Sequence, residues 1–185
     1  MSNHSNLAEQ AETIPTPTLT PSNAKEAMDV LLEQERVLAF GSFGAREALE
    51  LGLAAISLIP AFASGYSVTI TRERDGVRMF QWVSDDKDEK NLLFADGKRH
   101  SALKSGHAGP WAQLEAAVAG DLASVWANVL EEVPACGAFP IRVGDEWVAT
   151  IAVSGLDAGL DHEVILRALE RVLGVRAPRW DAPVA

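Results

Sequence analysis

The stretch GAFPIRVGDEWVATIAVSGL, residues 137–156, decides the fold of this chain because it encodes two strands and the turn between them. Gly144-Asp145 provides a two-residue hairpin turn in which both residues tolerate positive φ. Pro140 has no backbone N–H, so the first strand should lie at a sheet edge or begin at this point. In this register Arg142 faces Trp147, and its guanidinium either stacks on the indole or reaches a ligand.

A second hairpin is predicted upstream, in YSVTITRERDGVRMFQWV, residues 66–83. Its first half alternates apolar and polar residues with the period of two that indicates a strand. Asp75-Gly76 is a strong two-residue turn, and Val77–Val83 is the returning strand. The short apolar run Val37–Phe40, bounded by a glycine, predicts a further strand. We therefore expect about five strands in a mainly antiparallel sheet.

Two helices are predicted before the upstream hairpin. The first is short and covers Lys25–Gln34. The second runs from Phe43 towards Ile59, with the Ser42 hydroxyl as its N-cap and Pro60 at its end. Beyond Glu50 this helix is apolar nearly all round, which favours deep burial or contact with another subunit.

A third helix is predicted after the upstream hairpin, over about Asp85–Lys104. Ser84 begins it, Gly106 ends it as a C-cap, and Gly97 weakens its middle enough to allow a break. The stretch Trp111–Leu130 is helix-prone, with an interruption at a Gly-Asp pair.

The last helix is predicted to begin with Asp161 as its N-cap and to end at Gly174. The order of elements predicts an α+β fold, a largely antiparallel sheet with helices packed on it, rather than a doubly wound parallel sheet. Composition divides the chain into a flexible N-terminal tail (1–24), a single domain (25–176) and a C-terminal tail (177–185).

Composition excludes several classes of function. The chain has 26 acidic and 16 basic residues and a formal net charge of -10, which disfavours nucleic-acid binding. A single cysteine, Cys136, allows no intrachain disulfide and favours the cytoplasm. The uncharged run Leu51–Ile70 is interrupted by Pro60 and polar residues, so no membrane segment is predicted.

Motifs for nucleotide hydrolysis, dinucleotide redox chemistry, zinc proteolysis and nucleophilic serine catalysis do not occur in the sequence. His100 and His107 are too few for a metal site and are expected to be exposed at a helix end, although one histidine suffices as an axial haem ligand. Asp161 and His162 begin a helix whose N–H groups could face an anion. Arg99 is expected to be solvated.

Several segments together resemble the GlcG/HbpS-like superfamily, whose members are often labelled haem-degrading domains. GAFPIRV, VATIAVSGL and DHEVILRAL are similar to its closing part, and VLAFGSFGAREALELG and GKRHSALKSGHAG are similar to segments of its UPF-type branch. The resemblance covers Val37 to Gly174. It implies a profilin-like three-layer fold with a five-stranded antiparallel sheet flanked by helices, and a homo-oligomer. Some members of the superfamily bind haem, so the resemblance makes haem a candidate ligand but does not imply that the protein degrades it.

The residues that match the branch lie in a few of its motifs. They are Lys98, Arg99, Gly106, His107, Phe139, Pro140, Ile141, Arg142, Ser154, Gly155, Asp161 and His162. The branch commonly has His-Gly-Gly before its Phe-Pro-Ile, where this chain has Ala135-Cys136-Gly137, so a ligand role for that histidine cannot apply here. His100 and Ser105 also replace other residue types.

The sequence therefore predicts a cytoplasmic homo-oligomer that binds a small ligand, with catalysis less expected than binding. Arginine and histidine beside a helix N-terminus favour a small anion, a carboxylate or the propionates of haem. The predicted ligand-binding residues, from one subunit or from two, are Arg99, His107, Arg142, Ser154, Gly155, Asp161 and His162. Two alternatives stay open: an assembly or adaptor protein acting through its surface, and a small-molecule enzyme with His107 or His162 as general base.

Overall fold

A computed structural model of the chain describes residues 19–122, 131–156 and 159–180. These residues form an α+β fold in which a four-stranded sheet carries helices on both faces. The elements in chain order are α1 (Pro21–Val37), α2 (Ala45–Ile56), a 3-10 turn (Ile59–Ala61), β1 (Ser67–Arg72), β2 (Arg78–Val83), α3 (Glu89–Ser105), α4 (Trp111–Ala119), β3 (Ala138–Val143), β4 (Glu146–Ser154) and α5 (Leu160–Leu173).

Both predicted hairpins form, and they join through their inner strands, β1 and β4. The strand order is β2-β1-β4-β3, and every neighbouring pair is antiparallel. Pro140 lies opposite Thr150 on the edge strand β3, as its missing N–H requires. Arg142 lies opposite Trp147, as the turn predicts.

One face of the sheet forms the hydrophobic core. Val68 and Ile70 of β1 and Ile151 and Val153 of β4 are fully buried there, because alternate residues of a strand point to the same face. Helices α2 and α5 cover this face and pack against each other. Burying each of these side chains stabilises the fold by about 1.5–3 kcal/mol.

The opposite face carries short and polar side chains. Ser67, Thr69 and Thr71 of β1 are buried there, and α3 covers them together with alanines of β3 and β4. The Ser67 hydroxyl donates to the Asn91 carbonyl of α3 over 3.1 Å. This polar layer brings the charged side chains of α3 against the sheet.

Helix α3 passes through Gly97 without a break, so the predicted interruption is wrong. A Cβ atom at this position would lie 2.6 Å from Cγ2 of Val133. The Val133 N–H also donates to the Gly97 carbonyl over 3.0 Å. The glycine therefore permits a close backbone contact with residues 131–135.

Helix α1 is longer than predicted. It begins at Pro21 because Thr20 and Asn23 form a capping box, with hydrogen bonds of 2.7 and 3.3 Å. It also continues to Val37, so the strand predicted over Val37–Phe40 is wrong. Phe40 makes a single parallel bridge to Val143, and the described sheet has four strands rather than five.

The predicted caps of α2 and of the last helix are wrong. Helix α2 begins at Ala45, and the Glu47 carboxylate, rather than Ser42, caps it by accepting the Gly44 N–H over 2.8 Å. Helix α5 begins after Gly159. Asp161 is its second residue, and its carboxylate turns towards α3.

Helix α3 starts four residues later than predicted. Asp88 caps it by accepting the Lys90 N–H over 2.9 Å. Ser84 instead donates its hydroxyl to the Tyr66 carbonyl over 3.1 Å. Gly106 ends the helix as predicted, with φ 79°.

The remaining predicted segments are described in part. Helix α4 ends at Gly120, and residues 123–130 of the predicted helix-prone stretch lie outside the described residues. Residues 21–24 of the predicted N-terminal tail belong to α1 and residues 1–18 are outside the description. In the predicted C-terminal tail, the Pro178 carbonyl accepts a hydrogen bond from the Gln34 amide over 2.8 Å. Among the described helices, none is both long and apolar enough to cross a membrane.

Candidate functional site

The residues predicted for one site lie in three places in the protomer. Arg142 and His107 lie together near the start of β4, and Arg99 lies on α3, where it pairs with Glu73. Trp147, opposite Arg142, is seven residues from Ser154 along β4, which is roughly 23 Å of extended chain. The far end of β4 holds the other four, Ser154, Gly155, Asp161 and His162.

The first group is organised around a buried carboxylate, Glu35, on the last turn of α1. We call Glu35, Gly106, His107, Trp111 and Arg142 the His107 cluster. Oε2 of Glu35 lies 3.3 Å from Nδ1 of His107 and 3.4 Å from Nη2 of Arg142. Its Oε1 accepts the backbone N–H of residue 108 over 2.8 Å. The Glu35 side chain is only 6% exposed, so these three contacts replace its hydration.

Local structure explains how His107 reaches this carboxylate. Gly106 takes the left-handed conformation that ends α3, which glycine adopts without strain. The chain then leaves the helix axis, and the His107 ring stacks on Trp111, the first residue of α4, with ring centroids 3.9 Å apart. Because α4 packs against α1, the imidazole lies beside Glu35.

The Glu35 contact defines the proton arrangement of His107. An ionised carboxylate only accepts hydrogen bonds, so Nδ1 of His107 is the donor in this contact. No hydrogen bond to Nε2 comes from the described part of the chain, and the side chain is 28% exposed. The predicted exposed histidine is thus a half-buried ring that presents a basic nitrogen outwards.

Arg142 makes the stacking contact that the sequence offered as one of two alternatives, and its contact with a ligand stays a prediction. Its guanidinium carbon lies 5.3 Å from the centroid of the Trp147 ring. Its Nη2 donates to the Gly106 carbonyl over 3.1 Å, besides approaching Glu35. The stack and the polar contacts together fix the guanidinium beside His107.

Arg99 is not solvated, contrary to expectation. Its Nε donates to Oε1 of Glu73 over 2.9 Å and its Nη2 donates to Oε2. Thr150 donates its hydroxyl to the same carboxylate over 2.5 Å, and Trp147 Nε1 donates to the Thr150 hydroxyl oxygen over 3.0 Å. A chain of hydrogen bonds through Glu73 and Thr150 therefore connects Arg99 to the Trp147 indole. Arg142 stacks on the same indole.

At the far end of β4, Asp161 pairs with Lys98. Nζ of Lys98 lies 2.5 Å from Oδ2 of Asp161 and 3.1 Å from the Val153 carbonyl oxygen. The Leu156 N–H donates to Oδ1 of Asp161 over 3.1 Å. Burial raises the pKa of the Asp161 carboxyl, and the Lys98 ammonium opposes that rise. Both oxygens of the Asp161 carboxylate therefore accept hydrogen bonds from the protein itself.

The glycine and the thiol near this end also have structural surroundings. Gly155 has φ 137°, and a Cβ there would lie 3.0 Å from the Tyr66 Cα, so the glycine serves chain packing. The Ser154 carbonyl oxygen lies 3.2 Å from the hydroxyl oxygen of Ser67, which it shares as a donor with the Asn91 carbonyl. Burial raises the pKa of the Cys136 thiol to about 11, which keeps it protonated and unreactive at neutral pH.

His162 is buried between α5 and α1. Its Nε2 lies 2.9 Å from Oε1 of Gln34, and the amide of Gln34 is oriented by its bond to Pro178, so Nε2 is the donor. Nδ1 is buried and has no hydrogen-bond partner within residues 19–122, 131–156 and 159–180. Burial lowers the pKa of His162 to about 4. The ring is neutral at pH 7 and shielded from solvent.

The sequence reasoning missed Glu35 and Glu73, which hold the two predicted arginines. A signal for Glu35 was present, because it shares the buried face of α1 with Ala27 and Leu31, and an acid on such a face needs a partner. Glu73 follows β1 without any comparable pattern. Its role follows from the three-dimensional pairing alone.

Metal binding finds no support in the described ranges, where no group of three or more His, Cys, Asp or Glu side chains could hold an ion. A haem iron needs only one imidazole, and Nε2 of His107 fits that requirement. Two cavities along the described chain lie elsewhere, one beside Trp147 and one beside α5. The His107 side chain is 28% exposed and lines neither of these two cavities.

The fold and this cluster define a three-layer α+β protein that holds an outward-facing histidine against a buried glutamate. Among solved structures, it is similar to the Ybr137w protein, with TM-score 0.72 and 20% identity over 83% of this chain and 94% of that one. It is also similar to HbpS, with TM-score 0.56 and 22% identity over 71% and 90%. The PduOC:heme complex matches with TM-score 0.61 and 15% identity over 75% and 99%.

A family model described as "Haem degrading protein HbpS-like" matches residues 43–170. The match covers more than half of the chain, which therefore belongs to the HbpS-like family. The resemblance noted in the sequence is confirmed. The three-layer α+β arrangement is confirmed as well, with four strands in place of five.

Proposed function

We propose that this protein is a cytoplasmic, homo-oligomeric small-ligand-binding protein, and that its ligand, haem or a small anion, contacts the His107 cluster. One observation carries the proposal: Nε2 of His107 has no hydrogen-bond partner among the described residues, and the Glu35 carboxylate lies against the other ring nitrogen. A carboxylate that accepts a hydrogen bond from one ring nitrogen orients the histidine and raises the basicity of the other nitrogen as a ligand. Arg142 lies close enough to share the same ligand.

The charge of the cluster supports a ligand that carries a carboxylate. The guanidinium of Arg142 has five N–H donors, and Gly106, Glu35 and the residue 145 carbonyl take only part of this capacity. Carboxylates pair with arginine through short charge-assisted hydrogen bonds. Haem would supply two propionates for Arg142 and an iron that can bind the imidazole of His107. A protein of similar fold was solved as a haem complex.

Self-association is supported by the outer face of α2. This helix was expected to be buried or to contact another subunit. Its inner face is buried, while Leu49 and Leu53 stay 53% and 50% exposed, one helical turn apart. Exposed apolar side chains of this kind are common at subunit interfaces. Light scattering should show an oligomer for the wild type and a smaller species for Leu53→Glu, with Val175→Glu as the matched exposed control.

A haem titration followed by absorbance tests the ligand. We expect the wild type and His100→Ala, a variant at an exposed histidine of α3, to shift the haem band, and His107→Ala to lose the shift. No shift with the wild type, or an unchanged shift in His107→Ala, would exclude haem bound through His107. The small-anion form is then tested by titrating acetate into the wild type and Arg142→Gln, and equal affinities would exclude it.

A second candidate function is general-base catalysis on a small molecule. The 3.3 Å contact between Glu35 and His107 favours it, because a carboxylate-held imidazole is a common form of general base. His162, the other predicted base, is less suitable since it is shielded from solvent. An activity that disappears in both His107→Ala and Glu35→Gln, and survives in His100→Ala, would favour catalysis over binding.

A further inference from the structure

A cavity of about 250 Å³ opens at the end of the sheet where both hairpin turns lie. Apolar side chains from three parts of the chain form its walls, namely Phe43 before α2, Met79 of β2 and Trp147 of β4. It is separate from the His107 cluster, although Arg142 of that cluster covers the same indole. Its volume is below the roughly 300–1,000 Å³ of pockets for drug-sized ligands, so its occupant is small.

The aromatic walls of this cavity are held in place by the surrounding structure. Trp147 donates its indole N–H to the hydroxyl of Thr150 over 3.0 Å. Phe43 packs edge-to-face on Phe40, with ring centroids 5.0 Å apart. Walls fixed before binding lose little side-chain entropy when a ligand enters. Rigid aromatic surfaces favour a flat, apolar ligand body.

The rim of the cavity carries two arginines, Arg72 and Arg74, and the carboxylate of Glu146. Arg72 is committed to Asp75 through two hydrogen bonds of 2.9 and 2.7 Å. Arg74 reaches the same carboxylate only at 3.8 Å and is 76% exposed, so its donors stay available. Arg74 therefore offers N–H donors to the anionic group of a ligand in this cavity.

We propose that this cavity binds a small aromatic carboxylate, with the ring against Trp147, Phe43 and Met79 and the carboxylate on Arg74. The start of α2 is not needed for this site, because Glu47 already accepts the Gly44 N–H. The proposal goes beyond the function assigned to the His107 cluster. It adds a second ligand class at a second place on the protomer.

Isothermal titration calorimetry of the full chain tests the proposal, with benzoate as the probe and benzamide as its neutral isostere. We expect benzoate to bind about fivefold more tightly than benzamide, and Arg74→Gln to remove that preference. Arg176→Gln, at an arginine that is 92% exposed elsewhere on the surface, should leave it unchanged. Since Arg74 lies on the surface, its replacement does not threaten folding.

A second measurement locates the ligand. Benzoate should shift the NMR signal of the Trp147 indole N–H, assigned by a Trp147→Phe variant, and should do so in His107→Ala as in the wild type. No binding at millimolar benzoate, equal affinity for benzamide, or an unchanged preference in Arg74→Gln would overturn the proposal. Failure of haem binding at His107 would not affect it, so the two proposals fail independently.

Discussion

Oε2 of Glu35 lies 3.3 Å from Nδ1 of His107, although 72 positions separate the two residues in the chain. The same oxygen lies 3.4 Å from Nη2 of Arg142, a further 35 positions along. One buried carboxylate therefore connects α1, the turn after α3 and the edge strand β3. It orients a histidine and an arginine that also stack on Trp111 and Trp147.

Removing this carboxylate should destabilise the protein. Glu35→Ala leaves the N–H of Ala108 without an acceptor and Arg142 without its counter-charge, so we expect a loss of about 2–3 kcal/mol in the free energy of unfolding. Glu35→Gln keeps an acceptor for that N–H and should lose less. Urea denaturation measures both changes. Glu33→Ala, two residues earlier in an exposed pair with Arg36, is the matched control and should leave the midpoint unchanged.

Equal midpoints for Glu35→Ala and Glu33→Ala would show that the cluster contributes nothing to stability. In that case the contacts of Glu35 would matter only for orienting His107. A reduced haem affinity in Glu35→Gln, with an unchanged midpoint, would identify that purely orienting role.

The buried pair of Lys98 and Asp161 gives a second prediction. Lys98→Met leaves the Asp161 carboxyl buried without a cation, and we expect a loss of about 3–5 kcal/mol. Adding Asp161→Asn removes the uncompensated charge, so the double variant should be more stable than Lys98→Met alone. Lys104→Met on the same helix, whose partner Glu132 lies at the surface, should behave as the wild type. Strictly additive losses in this double-mutant cycle would contradict the coupling.

Local sequence patterns predicted most of the fold correctly. The Gly144-Asp145 turn sets the register that places Arg142 opposite Trp147, and Gly106 ends α3 through its own backbone preference. The strand predicted over Val37–Phe40 was wrong because four apolar residues are compatible with the end of a helix as well as with a strand. The N-cap predicted for α2 was wrong because the carboxylate of Glu47, rather than the Ser42 hydroxyl, caps the helix.

The site was less accessible to prediction for a physical reason. Matching residues such as Arg99, Arg142 and Asp161 were found, but their partners depend on contacts between elements far apart in the chain. Asp161 is held by Lys98 from 63 positions away, and Arg99 by Glu73. No local pattern encodes such a pairing, so a predicted ligand residue could not be separated from a paired structural one.

A pH dependence of stability is expected from His162. Burial lowers its pKa from 6.5 to about 4, so the unfolded chain protonates this ring at a higher pH than the folded protein does. The stability from the neutral ring is fully present above pH 6.5 and is lost as the pH falls towards 4, by up to about 3 kcal/mol. His162→Gln keeps a donor for Gln34 and should lose this part of the dependence. Urea unfolding across this pH range measures it, and parallel profiles for the two proteins would contradict the assignment.

The contact between Gly97 and Val133 gives the last prediction. A methyl group at position 97 would lie 2.6 Å from Cγ2 of Val133, closer than packed carbon atoms approach. Although alanine is the better helix former, Gly97→Ala should therefore lower the free energy of unfolding by about 1–3 kcal/mol. Val133→Ala removes the clashing methyl groups, so the double variant should recover part of the loss. Thermal or urea unfolding of the three variants decides the matter, because a Gly97→Ala protein as stable as the wild type would mean that residues 131–135 do not pack against α3 in solution.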